Sequence, residues 1–257
     1  MKQSMFATVL IIVALVVSSL IYFFVFGNPA NFDPANPKQP INLVGTVYLG
    51  GPVVIALMTL SIMVITYTIE RQLTLGKAKG RGPIESFLKR FQQHVQSGDI
   101  ESAKSECDKQ KGSIANILRQ GIERYETLVV DDQMDAEKKL AEISRAVEEA
   151  MLLEVPLLEK NLVVLSTIAS VSVLVGLFGT VIGMIRAFQT LSVAGTPNAA
   201  ELAAGISEAL ICTAGGLIGA IIGTIAYNFF VTKVGNITYM IDEATYNMLQ
   251  LLAIKIK

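Results

Sequence analysis

The sequence predicts an all-α integral membrane protein with four transmembrane helices, the first of them N-terminal, and a helical cytoplasmic domain. The chain of 257 residues is 52% hydrophobic and only 17% charged, whereas a soluble domain carries about 25% charged residues. Its apolar residues are gathered into four blocks, each of which approaches or exceeds the length that crosses about 30 Å of hydrocarbon. The charged residues are concentrated between the second and third blocks, so we expect long helices to continue from the membrane into the cytoplasm.

The first block, residues 5–26, contains no charged residue. It is longer than the apolar core of a secretory signal peptide, which has about 7–15 residues, and no small-residue cleavage site follows it. We therefore expect a retained membrane helix, with a cleaved signal peptide as the alternative. The stretch GNPANFDPANPKQP, Gly27 to Pro40, holds four prolines and predicts a periplasmic loop, so that the first segment covers residues 1–42.

The second block predicts a span over residues 43–70, with its first turns loosened by the Gly50-Gly51-Pro52 run. Residues 71–160 are charged and predict a helical cytoplasmic domain that bends at Pro156 before it enters the membrane. Residues 161–232 predict a hairpin of two spans, joined by the short link QTLSVAGTPNAAE. Residues 233–257 have apolar residues at helical spacing and predict a cytoplasmic C-terminal helix.

Basic residues predict the orientation of the chain. Fifteen of the 21 lysines and arginines lie between Arg71 and Lys160. Because cytoplasmic segments carry the excess of basic residues, we expect both termini and the charged domain in the cytoplasm. Cys107 lies in the charged region and Cys212 in an apolar span, and the sequence holds a single histidine, His94, so neither a disulfide nor a metal site is predicted. The sequence shows no catalytic constellation, and we expect a protein that is not an enzyme and uses no cofactor.

Small residues recur at three- and four-residue steps in the third and fourth spans. In lipid, such residues let helix backbones approach closely, and helix packing is the expected role of six of them: Gly176, Gly179, Gly183, Gly216, Gly219 and Gly223. Thr180 and Thr213 lie at a similar predicted depth, roughly 10–15 Å from the outer boundary at about 1.5 Å per residue. Their hydroxyls either form a ring when several subunits assemble or bond to carbonyls of their own helices.

Glu208 and Arg186 are the charged residues in the two hairpin spans. An ionised carboxylate in a membrane is costly unless it is paired or hydrated, and it is a functional candidate for that reason. Glu208 therefore belongs either to a proton pathway or to an ion pair with Arg186 at the same outer level. Because the spans contain no Asp, Lys or His, a proton pathway here needs a titratable group from a partner.

Two motifs of the hairpin, GLFGTVIGMIRAFQ and ELAAGISEALICTAGGLIGAIIGTIAYNFF, resemble the ExbB/TolQ/MotA proton-channel family, and most closely its ExbB/TolQ branch. The resemblance covers residues 43–257 in layout and is specific over about 160–232. It implies that Thr180 and Thr213 line a central pore and that Glu208 lies near it. It also implies a homo-pentamer around single-span ExbD/TolR-like partners, whose membrane aspartate takes the proton. The ExbB/TolQ branch usually has three spans, so the first helix is additional, and Arg186 is at a variable position of the family pattern.

The resemblance implies a proton-channel subunit of a motor in the bacterial inner membrane. Such a motor couples the proton motive force to TonB-dependent outer-membrane transport through a TonB-like protein, with protons as the transported ion. A TolQ-like motor for envelope maintenance and a MotA-like stator for motility are the alternatives within the family. A passive scaffold is the alternative outside it.

Overall fold

The computed structural model describes residues 2–130, 134–193 and 199–256 of the chain. Helices make up nearly all of this described part. They are α1 (Lys2–Leu20), α2 (Leu43–Tyr48), α3 (Val53–Ala78), α4 (Ile84–Ser97), α5 (Ile100–Gln110), α6 (Gly112–Val129), α7 (Ala136–Glu159), α8 (Leu162–Val193) and α9 (Ala199–Ile256).

Four helical stretches are long and apolar enough to cross a membrane: Ala7–Phe26, Val53–Ala78, Ala136–Gln189 and Ala200–Ile256. The predicted fold class is therefore confirmed. The predicted fourth span and C-terminal helix form one continuous helix, α9, of 58 residues. At about 1.5 Å per residue it extends for roughly 87 Å, far more than the hydrocarbon of a bilayer requires. The membrane boundaries of the five predicted segments stay predictions.

The proline-rich loop contains ordered structure that its composition did not reveal. α1 continues into a π-helical stretch, Ile21–Phe26, and a 3₁₀ turn, Pro29–Asn31, follows. Strands β1 (Phe32–Asp33) and β2 (Asn36–Pro40) then form a small antiparallel ribbon. The Asn31 amide donates to two carbonyls at the end of the π-helical stretch, at 2.7 and 3.1 Å. These bonds satisfy carbonyls that an ending helix leaves without a partner.

Breaks in the predicted helices occur where the backbone turns left-handed. The second span is divided into α2 and α3 at Gly51, whose φ of +70° suits glycine. α7 continues through Pro156 to Glu159, so the helix is interrupted at Asn161, where φ is +62°, and not at the proline. The predicted link between the third and fourth spans includes residues 194–198, which lie outside the described residues.

The chain forms two compact units. An apolar unit comprises Met1–Ile69 with Val163–Asn228, and a charged unit comprises Glu70–Leu162 with Phe229–Lys257. The charged unit is built from amphipathic helices with buried stripes. On α4 the buried residues recur at steps of three or four, namely Ile84, Phe87, Phe91 and Val95. Each phenyl ring buried in this way stabilises the unit by about 1.5–3 kcal/mol.

A buried arginine organises the charged unit near the start of α8. Arg71 has no exposed surface, and its guanidinium donates two hydrogen bonds to Glu70, at 2.6 and 2.8 Å. The Asn161 amide donates to the same carboxylate at 3.1 Å, and the Leu158 carbonyl accepts from Arg71 at 3.5 Å. The cluster therefore joins the end of α3 to the interruption between α7 and α8. A buried charge is tolerated only when it is paired. We therefore expect the Arg71 side chain to keep one position in this cluster.

Candidate functional site

The two hairpin helices, α8 and α9, pack with their backbones in close contact. A methyl group added at Gly176 would lie 3.0 Å from the Cys212 carbonyl oxygen, and one at Gly216 would lie 2.6 Å from the Ser172 carbonyl oxygen. At Gly183 it would lie 2.8 Å from the Gly205 carbonyl oxygen. Since these neighbours are backbone atoms, the helices could accommodate side chains at these glycines only by moving apart.

The other predicted packing glycines bring α3 into the same bundle. A methyl group at Gly179 would touch Cys212 and would lie 3.1 Å from Val53 of α3. At Gly219 it would lie 3.1 Å from the Ser172 hydroxyl and 3.6 Å from that of Ser61, also on α3. The sixth glycine, Gly223, packs against Ala169 of α8. The structure thus places all six glycines within a three-helix bundle of a single chain.

Thr180 and Thr213 lie at the same level of the hairpin. Gly179 packs on Cys212, and each threonine is the residue that follows one of these two. In an antiparallel pair of right-handed helices, the residue after each contact residue turns by about 100° to the same side. Both threonines therefore face one side of the hairpin, and both are partly exposed.

In a single chain the threonine hydroxyls bond within their own helices. The Thr180 hydroxyl donates to the Leu177 carbonyl at 2.6 Å, and the Thr213 hydroxyl donates to the Ala209 carbonyl at 3.1 Å. Each hydroxyl oxygen still has lone pairs that can accept a proton donor. Around Thr180 the surface of α8 is a shallow apolar groove, whose other residues are Val181, Met184, Ile185, Phe188 and Gln189.

Arg186 and Glu208 form an ion pair at the end of the hairpin near the interhelical link. The guanidinium Nη1 donates to Glu208 Oε1 at 2.5 Å, and Glu208 is only 8% exposed. The carboxylate also covers Gly51, where a methyl group would lie 2.7 Å from Oε1. The ion pair therefore connects α8 to α9 and packs against the turn that precedes α3.

The ion pair and the threonines face different sides of the hairpin. Thr213 follows Glu208 by five residues, which is a rotation of roughly 140° around α9. Thr180 precedes Arg186 by six residues, which is roughly 120° around α8. Since the pair lies against Gly51 at the start of α3, the threonines face away from α3. The structure brings the predicted site residues together in two pairs, and it does not bring Glu208 to the threonines.

One group of contacts had no signal in the sequence. The buried Cys212 thiol donates to the Gly50 carbonyl at 3.2 Å, and the Tyr22 ring stacks on the Tyr48 ring with centroids 4.7 Å apart. The sequence of an apolar block does not show which other block its cysteine or tyrosine will contact. Only the folded chain shows that the segment 48–51 contacts both α9 and the π-helical end of α1.

Comparison with known proteins shows the family of this chain. The profile of the MotA/TolQ/ExbB proton channel family matches residues 109–243. The Tol-Pal system protein TolQ of Pseudomonas aeruginosa is 35% identical over 148 residues, which is 57% of this chain and 64% of that protein. TolQ of Haemophilus influenzae is 45% identical over 105 residues, 39% of this chain and 46% of that protein.

The biopolymer transport protein ExbB of Salmonella typhimurium is 39% identical over 87 residues, 34% of this chain and 36% of that protein. The chain thus matches less than two thirds of the length of each of these relatives. The family match nonetheless covers more than half of this chain and confirms the resemblance, and the relatives named TolQ and ExbB match its ExbB/TolQ branch. The chain belongs to the MotA/TolQ/ExbB proton channel family.

Proposed function

We propose that the chain is a proton-channel subunit of a motor in the bacterial inner membrane, with both termini in the cytoplasm. Thr180 and Thr213 support this proposal most directly, because they lie at one level and face one side of the hairpin, away from α3. Several copies that turn this side inward would enclose a lumen with hydroxyls at a single depth. The family resemblance suggests five copies. The exposed apolar groove beside Thr180 is suited to contact another helix.

The titratable group of the motor has to come from a partner. The two hairpin spans contain no Asp, Lys or His, and their single carboxylate, Glu208, is paired with Arg186. We propose an ExbD/TolR-like single-span partner with an aspartate at the level of the threonines. A proton from the outer side neutralises that aspartate, which lowers the cost of moving it along an apolar wall. Release of the proton towards the cytoplasm recharges the carboxylate and resets the partner.

Of the two roles open for Glu208, the geometry favours the ion pair. The carboxylate faces α3 and not the threonine side. We propose that it holds the three helices in register, so that the proton passes beside the threonines and does not pass through Glu208.

The work of the motor is proposed to reach a TonB-like protein and to drive outer-membrane transport, as the family resemblance suggests; the ExbB relatives are named biopolymer transport proteins. A Tol-Pal role in envelope maintenance is the second candidate. One observation supports this second candidate: the match to the Pseudomonas TolQ covers 57% of this chain, against 34% for the Salmonella ExbB. Complementation of strains that lack either system separates the two: restored siderophore-dependent growth supports the first role, and restored detergent resistance supports the second.

Valine substitution tests the threonines. Thr180→Val and Thr213→Val remove a hydroxyl with little change in shape. Thr167→Val is the matched control, since Thr167 is also on α8, is exposed, and donates to its own helix at 2.8 Å. The chain is purified with its partner and reconstituted into vesicles, and proton uptake is measured. We expect Thr180→Val and Thr213→Val to lower uptake by roughly tenfold, which corresponds to the loss of one ordinary hydrogen bond of about 1–1.5 kcal/mol, and Thr167→Val to have no effect.

Assembly is measured in the same samples by the mass of the purified complex. An intact complex that conducts poorly supports the proposed lining. Wild-type uptake in both valine variants contradicts it, because the hydroxyls then take no part in conduction.

A further inference from the structure

The segment 48–51 includes the last residue of α2 and the turn before α3. Within the apolar unit it is in contact with two other helices. On one side lies the π-helical end of α1, and on the other side lies α9. Its backbone turns sharply, since Gly51 has a φ of +70°. Glycine adopts this conformation without steric cost but is flexible in the unfolded chain, so contacts on both sides help to hold the turn in one conformation.

α1 holds this segment through one tyrosine. Tyr22 is 5% exposed, its ring is stacked on Tyr48 at an interplanar angle of 24°, and its hydroxyl donates to the Tyr48 carbonyl at 3.1 Å. Two residues further along the same helix, Phe24 is 72% exposed. The contact of α1 with the segment is therefore specific to the Tyr22 side of the helix.

α9 meets the same segment at the level of the threonines. Cys212 has no exposed surface, and its thiol donates to the Gly50 carbonyl at 3.2 Å. A methyl group at Gly50 would lie 2.7 Å from Cγ2 of Ile211, so the Gly50 backbone is already in close contact with that side chain of α9. Cys212 immediately precedes Thr213 and packs on Gly179, which immediately precedes Thr180. The position of Gly50 therefore bears on both threonines.

We infer that α1 positions the threonine pair through the segment 48–51. Tyr22 fixes Tyr48 and the turn that follows it, and the Gly50 carbonyl fixes Cys212 and with it the facing turns of α9 and α8. Tyr22 and Cys212 are positioning residues in this arrangement, because neither lies on the threonine side of the hairpin. The functional meaning of this link rests on the proposed proton channel, whereas the link itself concerns only contacts within one chain.

The thiol of Cys212 reports on this link without any measurement of conduction. Native membranes are treated with N-ethylmaleimide, and the modification rates of Cys212 and Cys107 are followed by peptide mass spectrometry. Cys107 is buried in the charged unit at 3% exposure and serves as an internal reference. The variants are Tyr22→Ala, which removes the stack and the hydrogen bond, Tyr22→Phe, which removes the hydroxyl alone, and the matched control Phe24→Ala.

We expect Tyr22→Ala to raise the modification rate of Cys212 roughly tenfold, as loss of an aromatic pair eases local opening. Tyr22→Phe should raise it less, and Phe24→Ala should leave it unchanged, with Cys107 constant throughout. An equal rate at Cys212 in Tyr22→Ala and Phe24→Ala overturns the inference. So does a parallel rise at Cys107, because the whole chain has then loosened.

Proton uptake by the same preparations separates this inference from the proposed function. Reduced uptake in Tyr22→Ala, together with faster Cys212 modification, supports the positioning role. Faster modification with unchanged uptake overturns the role of α1 in conduction. If the wild-type complex takes up no protons while the modification rates follow the expected order, the proposed function fails and the structural link stands.

Discussion

A double-mutant cycle on Arg186 and Glu208 decides whether the intramembrane acid acts in the pair or in proton transfer. The perturbations are Arg186→Gln, Glu208→Gln and the double variant. Removing one partner from a fully buried pair costs about 3–5 kcal/mol because a charge is left uncompensated. Here Glu208 is buried but the Arg186 side chain is 51% exposed, so we expect a smaller loss than for a fully buried pair. We expect about 1–3 kcal/mol for Arg186→Gln, less for Glu208→Gln, and a coupling energy of about 1–2 kcal/mol.

Thermal unfolding of the purified complex in detergent measures these differences. For chains of 150–250 residues, 1 kcal/mol corresponds to about 2–4 °C in Tm. Arg186→Gln is therefore expected to lower Tm by about 2–12 °C. The double variant should recover part of that loss, since two neutral amides leave no charge unpaired. Proton uptake should follow Tm in all three variants.

Two results refute this reasoning. The first is additivity of the two single effects, which means that the residues do not interact in the assembled protein. The second is loss of proton uptake in Glu208→Gln at unchanged Tm, with no recovery in the double variant. In that case Glu208 itself carries the proton, and the ion pair is incidental.

Further predictions concern packing and thiol reactivity. Gly216→Ala should lower the Tm of the complex, because its methyl group would lie 2.6 Å from the Ser172 carbonyl oxygen. Gly235→Ala is the control on the same helix, since no atom lies within 4 Å of the added methyl group. It should stabilise α9 by up to about 1 kcal/mol. Burial raises the pKa of the Cys107 thiol to about 12. Iodoacetamide should therefore leave Cys107 unmodified in the native protein from pH 7 to about pH 10 and should modify it readily after denaturation; rapid modification near pH 8 in the native state contradicts the burial.

Much of the fold follows from the sequence because lipid imposes simple requirements on a chain. Backbone groups in hydrocarbon must bond internally, so each long apolar block becomes a helix. That rule predicts the helices that cross the membrane, but it does not predict where they are interrupted. The break at Asn161 arises where the Arg71–Glu70 cluster binds the Asn161 side chain, and this contact joins residues 91 positions apart. A local pattern favours Pro156 at this point, whereas the tertiary contact places the interruption five residues later.

The sequence predicts the level of the candidate site residues along their helices, but it does not predict the side of the helix pair on which they lie. Spacing along two antiparallel helices is enough to place Thr180 and Thr213 at one level. The side on which each lies depends on the rotation of the helices, which is set by the Gly179–Cys212 contact. The sequence likewise indicated the Arg186–Glu208 pair by level, but it could not show that the pair faces Gly51. Separation of the two pairs is therefore a result of packing alone.

The six glycines lie at contacts between helices of one chain. If they lined the lumen, they would provide a smooth wall for a moving partner. Instead they lie within the bundle of α8, α9 and α3 of one chain, and methyl groups added at Gly176, Gly183 and Gly216 would lie 2.6–3.0 Å from backbone atoms of the facing helix. Dense contacts of this kind make a bundle stiff, since interiors packed in this way deform little. In a motor that moves a partner helix, a stiff wall is useful, because neutralising one carboxylate then displaces the partner and does not deform the subunit that surrounds it.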